Sequence, residues 1–108
     1  MIKVDTVTLV DSINCCLDLS MDDRLGRQEQ KAYLAQAKRL RVHLVNLLTA
    51  QFADDTQQVV TANEKLKTIN NRLKTETESL ERVAETVGQI AELVGILDEL
   101  VGLAVSFL

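Results

Sequence analysis

The sequence predicts an all-α protein, an antiparallel helical bundle or hairpin with a long heptad-repeat C-terminal helix. Three observations predict it. Proline is absent and only Tyr33, Phe52 and Phe107 are aromatic, whereas a sheet protein carries aromatic and β-branched strands parted by Gly/Pro turns. From Val59 to Leu108 apolar residues recur at alternating steps of three and four. The opposite column, Gln57, Glu64, Asn71, Glu78, Glu85, Glu92, Glu99 and Ser106, repeats every seven residues and holds no apolar side chain. At 108 residues the chain has room for one helical domain, residues 1–108, burying roughly two thirds of its unfolded surface.

The first helix is expected over about residues 5 to 19, with Val10, Ile13 and Leu17 on its apolar side and Asp11 and Asp18 on the polar one. Ahead of it, Ile2-Lys3-Val4-Asp5 alternates like a strand and suits extended backbone. Ser20-Met21-Asp22-Asp23 reads as a capping box opening a second helix over about residues 21 to 51, whose core stripe is Tyr33, Ala37, Leu40, Leu44 and Leu47, with Leu48 alongside. The stripe slips by one residue near Phe52, which marks a turn, and Asp55-x-x-Gln58 offers a cap for the next helix.

The third helix is expected over about residues 55 to 107, because the heptad phase passes through Leu73, Glu76 and Leu80 without a slip. Thr75-x-x-Glu78 marks the alternative, a break near residues 75–79 that gives four helices. The fifteen seam residues, from Val59 to Leu108, include one charge, Glu76, which in a packed seam costs stability and sets register. Gly88, Gly95 and Gly102 recur every seven residues and are expected to let another helix pack closely. Leu93, Leu100 and Phe107 widen the apolar arc until one neighbouring helix does not cover it. The expected interface with a partner chain is Leu80, Val83, Val87, Ile90, Leu93, Val94, Leu97, Leu100, Val101 and Phe107.

Chemistry finds little support in the residues. Cys15 and Cys16 are adjacent, so a helix points them about 100° apart; they suit core filling and not a disulfide with each other. His43 has no Cys, Asp or Glu three or four residues away, so no metal is expected, and no cofactor loop or catalytic set is legible. The chain carries a net charge of −4, unevenly spread. Arg24, Arg27, Lys31, Lys38 and Arg41 share a basic face of the second helix, and beyond Arg82 every charged residue is acidic. The start of the sequence shows no apolar signal core and no glycine at position two, from which a cytoplasmic protein is expected.

The heptads of Leu, Val, Ala and Glu resemble, in composition and period, those of many coiled-coil signalling and scaffolding proteins; no family-specific motif accompanies them. The reading that follows is a non-enzymatic adaptor that self-associates through the coiled-coil-like seam, as a homo-oligomer of two or more chains. The alternative is a membrane-active amphipathic protein built on the C-terminal repeat, although its acidic polar face is wrong for anionic lipid. A second alternative is a nucleic-acid accessory protein using the basic face, against which stand the acidic total and the single tyrosine.

Overall fold

The computed structural model describes residues 1–106 and contains four helices: α1 (Thr6–Ser20), α2 (Arg27–Leu47), α3 (Gln57–Glu78) and α4 (Val83–Ser106). They form a bundle of 44 × 20 × 19 Å. Around it the order is α1, α2, α4, α3, since α1 packs on α2 and α3, α4 packs on the same two, and among the described residues the diagonal pairs make no close backbone approach. Asp5 and Ser12 of the first segment meet Asn63 and Asn70 of α3, so α1 and α3 run in the same direction. Lys65 and Arg72 of α3 meet Glu92 and Glu85 of α4, so those two are antiparallel. Two antiparallel hairpins thus lie face to face.

The expected single helix over residues 55–107 is broken. At Ser79 the backbone turns extended, with φ −144° and ψ 108°, its N–H donating to Thr75 O, and α4 restarts at Val83. This is the four-helix alternative: Thr75 to Glu78 are still helical, and the break begins at Ser79, the end of the range 75–79. The phase continuity is misleading because Leu80, inside the turn, packs half-buried against the core and so keeps its place in the apolar count. Each helix then supplies its own stripe: Val59, Ala62, Leu66, Ile69 and Leu73 from α3, and Val83, Ile90, Leu93, Val94, Leu97 and Leu100 from α4, all buried. A helix of about 75 Å would have been needed for the unbroken version; the whole bundle is 44 Å long.

The second helix also differs from expectation, starting at Arg27 and not near residue 21, and ending at Leu47 and not near 51. Ser20 does not cap it, because its hydroxyl donates back to Leu17 O at 2.6 Å within α1. Asp22 accepts from the Arg24 backbone N–H and guanidinium instead. Gly26 takes the N-cap position, and the Glu29 carboxylate accepts from its N–H at 3.1 Å. The cap of α3 is Thr56 and not Asp55, without a side-chain hydrogen bond. In α1 the buried face is Leu9, Ile13, Cys16 and Leu19, leaving Val10 exposed and Leu17 half-buried. Both stripes pass through Ile13, and the buried Ser12–Asn70 contact at 3.3 Å accompanies the first.

The α2–α3 connection crosses the bundle diagonal and is pinned by the N-terminal segment. The opening residues are extended, and Ile2 and Phe52 exchange backbone hydrogen bonds of 2.8 and 2.7 Å, a pairing the sequence does not reveal. Phe52 and Val4 are buried beneath that bridge. Asn63 completes the tie: its side-chain oxygen accepts from Asp5 N at 2.7 Å and its amide donates to Lys3 O at 3.2 Å. Among the described residues no helix is long and apolar enough to cross a membrane.

Asp5 caps α1, its carboxylate accepting from the Thr8 hydroxyl at 2.7 Å and the Thr8 N–H at 3.1 Å. These bonds hold its pKa below the ordinary 3.8. The folded state therefore binds the proton more weakly than the unfolded chain, so this contribution is present above about pH 4 and is lost as pH falls through the folded value. Replacing Asp5 with Ala should cost about 1 kcal/mol at pH 7. Asp5→Asn should retain most of the cap and flatten the loss of stability below pH 4; urea unfolding at pH 7 and pH 3 reads both, and equal pH slopes for wild type and Asp5→Asn would refute the assignment.

Candidate functional site

Three places hold the polar side chains that could do work: the α3–α4 joint, the α2–α4 contact, and the outer faces of α2 and α4. At the joint, Glu76 is 3% exposed in the last turn of α3, and its Oε1 accepts from the Arg82 N–H at 3.2 Å. A carboxylate at the start of α4 meets an unsatisfied N–H and the positive end of the helix dipole. That is why the one charge in the seam is tolerated. Nearby, Arg72 reaches Glu85 at 2.9 Å and donates from Nε to the Thr86 hydroxyl at 3.2 Å, itself donating to Arg82 O. Burial, with the Glu76 charge second, pushes the Tyr33 phenol up in pKa. Glu76 Oε2 has no hydrogen-bond partner among the described residues.

Between α2 and α4, His43 Nε2 lies 2.9 Å from Asp98 Oδ1. The ring is buried, so its partner comes from a neighbouring helix, which sequence spacing did not reveal. Burial pushes the Cys16 thiol up to about 12, and burial with the nearby Asp18 and Asp11 raises Cys15. Neither thiol is poised as a thiolate. Among the described residues no three His, Cys, Asp or Glu side chains gather to hold a metal ion.

The expected interface residues lie inside the chain's own bundle. Val83, Ile90, Leu93, Val94, Leu97 and Leu100 are buried and Leu80, Val87 and Val101 half-buried against the core; Phe107 lies outside the described residues. The wide apolar arc is covered by two helices, α2 and α3, of the same chain. The glycines are placed oppositely. Gly88, Gly95 and Gly102 are exposed on the outer side of α4, and among the described residues nothing outside α4 lies within 4 Å of where a Cβ would stand, so the close helix approach expected there is not made at Gly88 and Gly95.

Of the expected basic face, Arg27, Lys31, Lys38 and Arg41 are exposed on α2. Arg24 is not part of it: it lies in the α1–α2 loop, where its guanidinium binds Asp22 and donates to Thr77 O at 2.7 Å, stitching that loop to the end of α3. Sequence reasoning missed Arg39, exposed toward α4, and the apolar residues interleaved with the cations. Val42, Val45 and Leu48 are 59%, 75% and 55% exposed, and Leu34 is also exposed. Among the described residues Arg27, Lys31, Lys38, Arg39 and Arg41 have no ion-pair partner in the chain. Opposed to them in sign, α4 carries Glu85, Glu92, Asp98 and Glu99 and no basic residue.

Fold and surface together define a four-helix bundle with a basic–apolar α2 and an acidic α4. No family model, no curated protein and no solved structure matches the chain.

Glu76→Ala should leave the Arg82 N–H at the joint without its acceptor, at a cost of about 1 to 3 kcal/mol. Glu76→Gln keeps an acceptor oxygen and should lose less than about 1 kcal/mol. Denaturant unfolding of both variants checks this, and a Glu76→Ala protein as stable as the wild type would show that the joint does not depend on the cap.

Proposed function

We propose that this protein is a non-enzymatic adaptor, a rigid helical bundle that engages a macromolecular partner through the outer face of α2. One observation carries the reading: four cations without intrachain ion pairs, Arg27, Lys31, Lys38 and Arg41, alternate there with exposed Leu34, Val42 and Val45, and exposed Leu48 follows at the helix end. Isolated exposed valines are ordinary, whereas apolar side chains clustered with arginine on one helix face have the composition of a binding surface. The self-association first read into the heptad seam moves outward with it. The seam side chains already have neighbours in their own chain, and exposing them to another would require opening the bundle.

The partner that fits is an acidic protein surface. Nucleic acid fits less well, because Tyr33 and Phe52 are buried and give no aromatic platform to α2. The C-terminal repeat supports a membrane reading less than it did as a sequence, since its large apolar residues through Leu100 are the bundle core.

The test is a photo-crosslinking amino acid placed at Val45, on the proposed face, and at Glu64, on the outside of α3, each expressed in the native cells. Position 45 should give one discrete higher-mass adduct and position 64 none. Absence of any adduct from position 45, or equal adducts from both, would overturn the reading.

A further inference from the structure

We infer that the acidic partner surface is α4 of a second copy, in a two-fold dimer that sets α2 of each chain on α4 of the other. The inference rests on the adaptor reading above and names the partner of the same face.

Charge is the first argument. Within α2 there are five basic residues, Arg27, Lys31, Lys38, Arg39 and Arg41, and one acid, Glu29. In α4 there are four acids, Glu85, Glu92, Asp98 and Glu99, and no base. The two helices are neighbours, so one side of the bundle presents a positive and a negative ridge together. Two molecules can meet on that side about two different two-fold axes. An axis across the helices puts α2 on α2 and α4 on α4, like charge on like; an axis along them puts α2 on the partner's α4. Electrostatics select the second.

Height is the second argument, and it is independent of charge. An axis along the helices leaves every residue at its own level, so the register across the interface is fixed by the register within one chain. There Glu29 and Ala32 lie beside Val83 and Val87, and His43 beside Asp98. Lys31 consequently falls between Glu85 and Gly88 of the second copy, and Lys38 between Glu92 and Gly95. Val42 falls along Gly95 to Asp98. The lysines and the glycines share the seven-residue spacing, so the match repeats without adjustment.

Space is the third. Open room above Gly88 and Gly95 lets the lysine stems and Val42 lie flat on α4 while the ammonium groups reach the carboxylates at its edge. Gly88 and Gly95, on the exposed face of α4, weaken the helix with nothing packed within 4 Å of where a Cβ would stand; contact with a second copy supplies a packing return. Glu85 and Glu92 already touch Arg72 and Lys65 yet keep more than half of their side-chain surface exposed, so they remain accessible to a second cation.

The experiment is sedimentation equilibrium and light scattering of the pure full chain from 1 to 100 µM. The expected particle has twice the 12.0 kDa chain mass in low salt. It should dissociate as salt screens the exposed charges. Lys38→Glu should weaken the dimer about tenfold or more, and adding Glu92→Lys in the same chain should restore it. Gly95→Leu keeps falsifiability apart from folding: the melting temperature of the monomer should stay at or above that of the wild type while the dimer is lost. A wild type that stays monomeric at 100 µM, or a dimer indifferent to Lys38→Glu and Gly95→Leu, overturns the inference. Monomer binding to phosphatidylserine vesicles, abolished by Lys38→Glu, overturns it in favour of lipid. A monomer that still yields the Val45 adduct in cells sinks the dimer alone; a monomer without the adduct sinks the adaptor reading as well.

Discussion

Everything in this bundle depends on the four-residue turn between Glu78 and Val83. With the turn, the two halves of the heptad seam face each other across one core; without it, they would form one long stripe that only other chains could cover. The turn contains neither glycine nor proline. It is held by Glu76, which accepts from the Arg82 N–H, and by the Ser79 N–H, which donates to Thr75 O. A buried carboxylate is ordinarily costly, and here the desolvation is offset by a helix N-terminus that presents a donor and partial positive charge.

The second hairpin then needs a fixed place against the first, and polar contacts provide it where apolar stripes alone leave the register loose. Asn63 and Asn70, seven residues apart on α3, meet the cap region and Ser12 of the first helix. The Ile2–Phe52 bridge closes the end where the chain crosses the diagonal. Because the diagonal crossing makes α2 and α4 neighbours running in one direction, the most basic and the most acidic helices stand side by side. The adaptor and dimer proposals both follow from that placement.

A core filled from within one chain changes what the surface means. Apolar side chains at seam positions pack into or against the chain's own core, while Val42 and Val45 stand exposed on a helix that carries unpaired cations. The function argued from the seam in the sequence is therefore argued from the opposite side of the molecule in the structure.

By itself the sequence determined that the chain is helical, which face of α3 and α4 is apolar, and that the acid column from Gln57 to Glu99 faces solvent, because a period near 3.6 admits one buried stripe per helix. It also carried the charge division between α2 and the C-terminal third. Only the tertiary structure decided where the long helix stops, since Leu80 fills a seam position from within a turn and local pattern cannot tell a turn residue from a helical one. It likewise decided which of two stripes through Ile13 is buried, that Arg24 belongs to a loop, and that the glycines face outward. Each of these depends on which other segment comes to lie alongside, and no periodicity along a single helix encodes its neighbour.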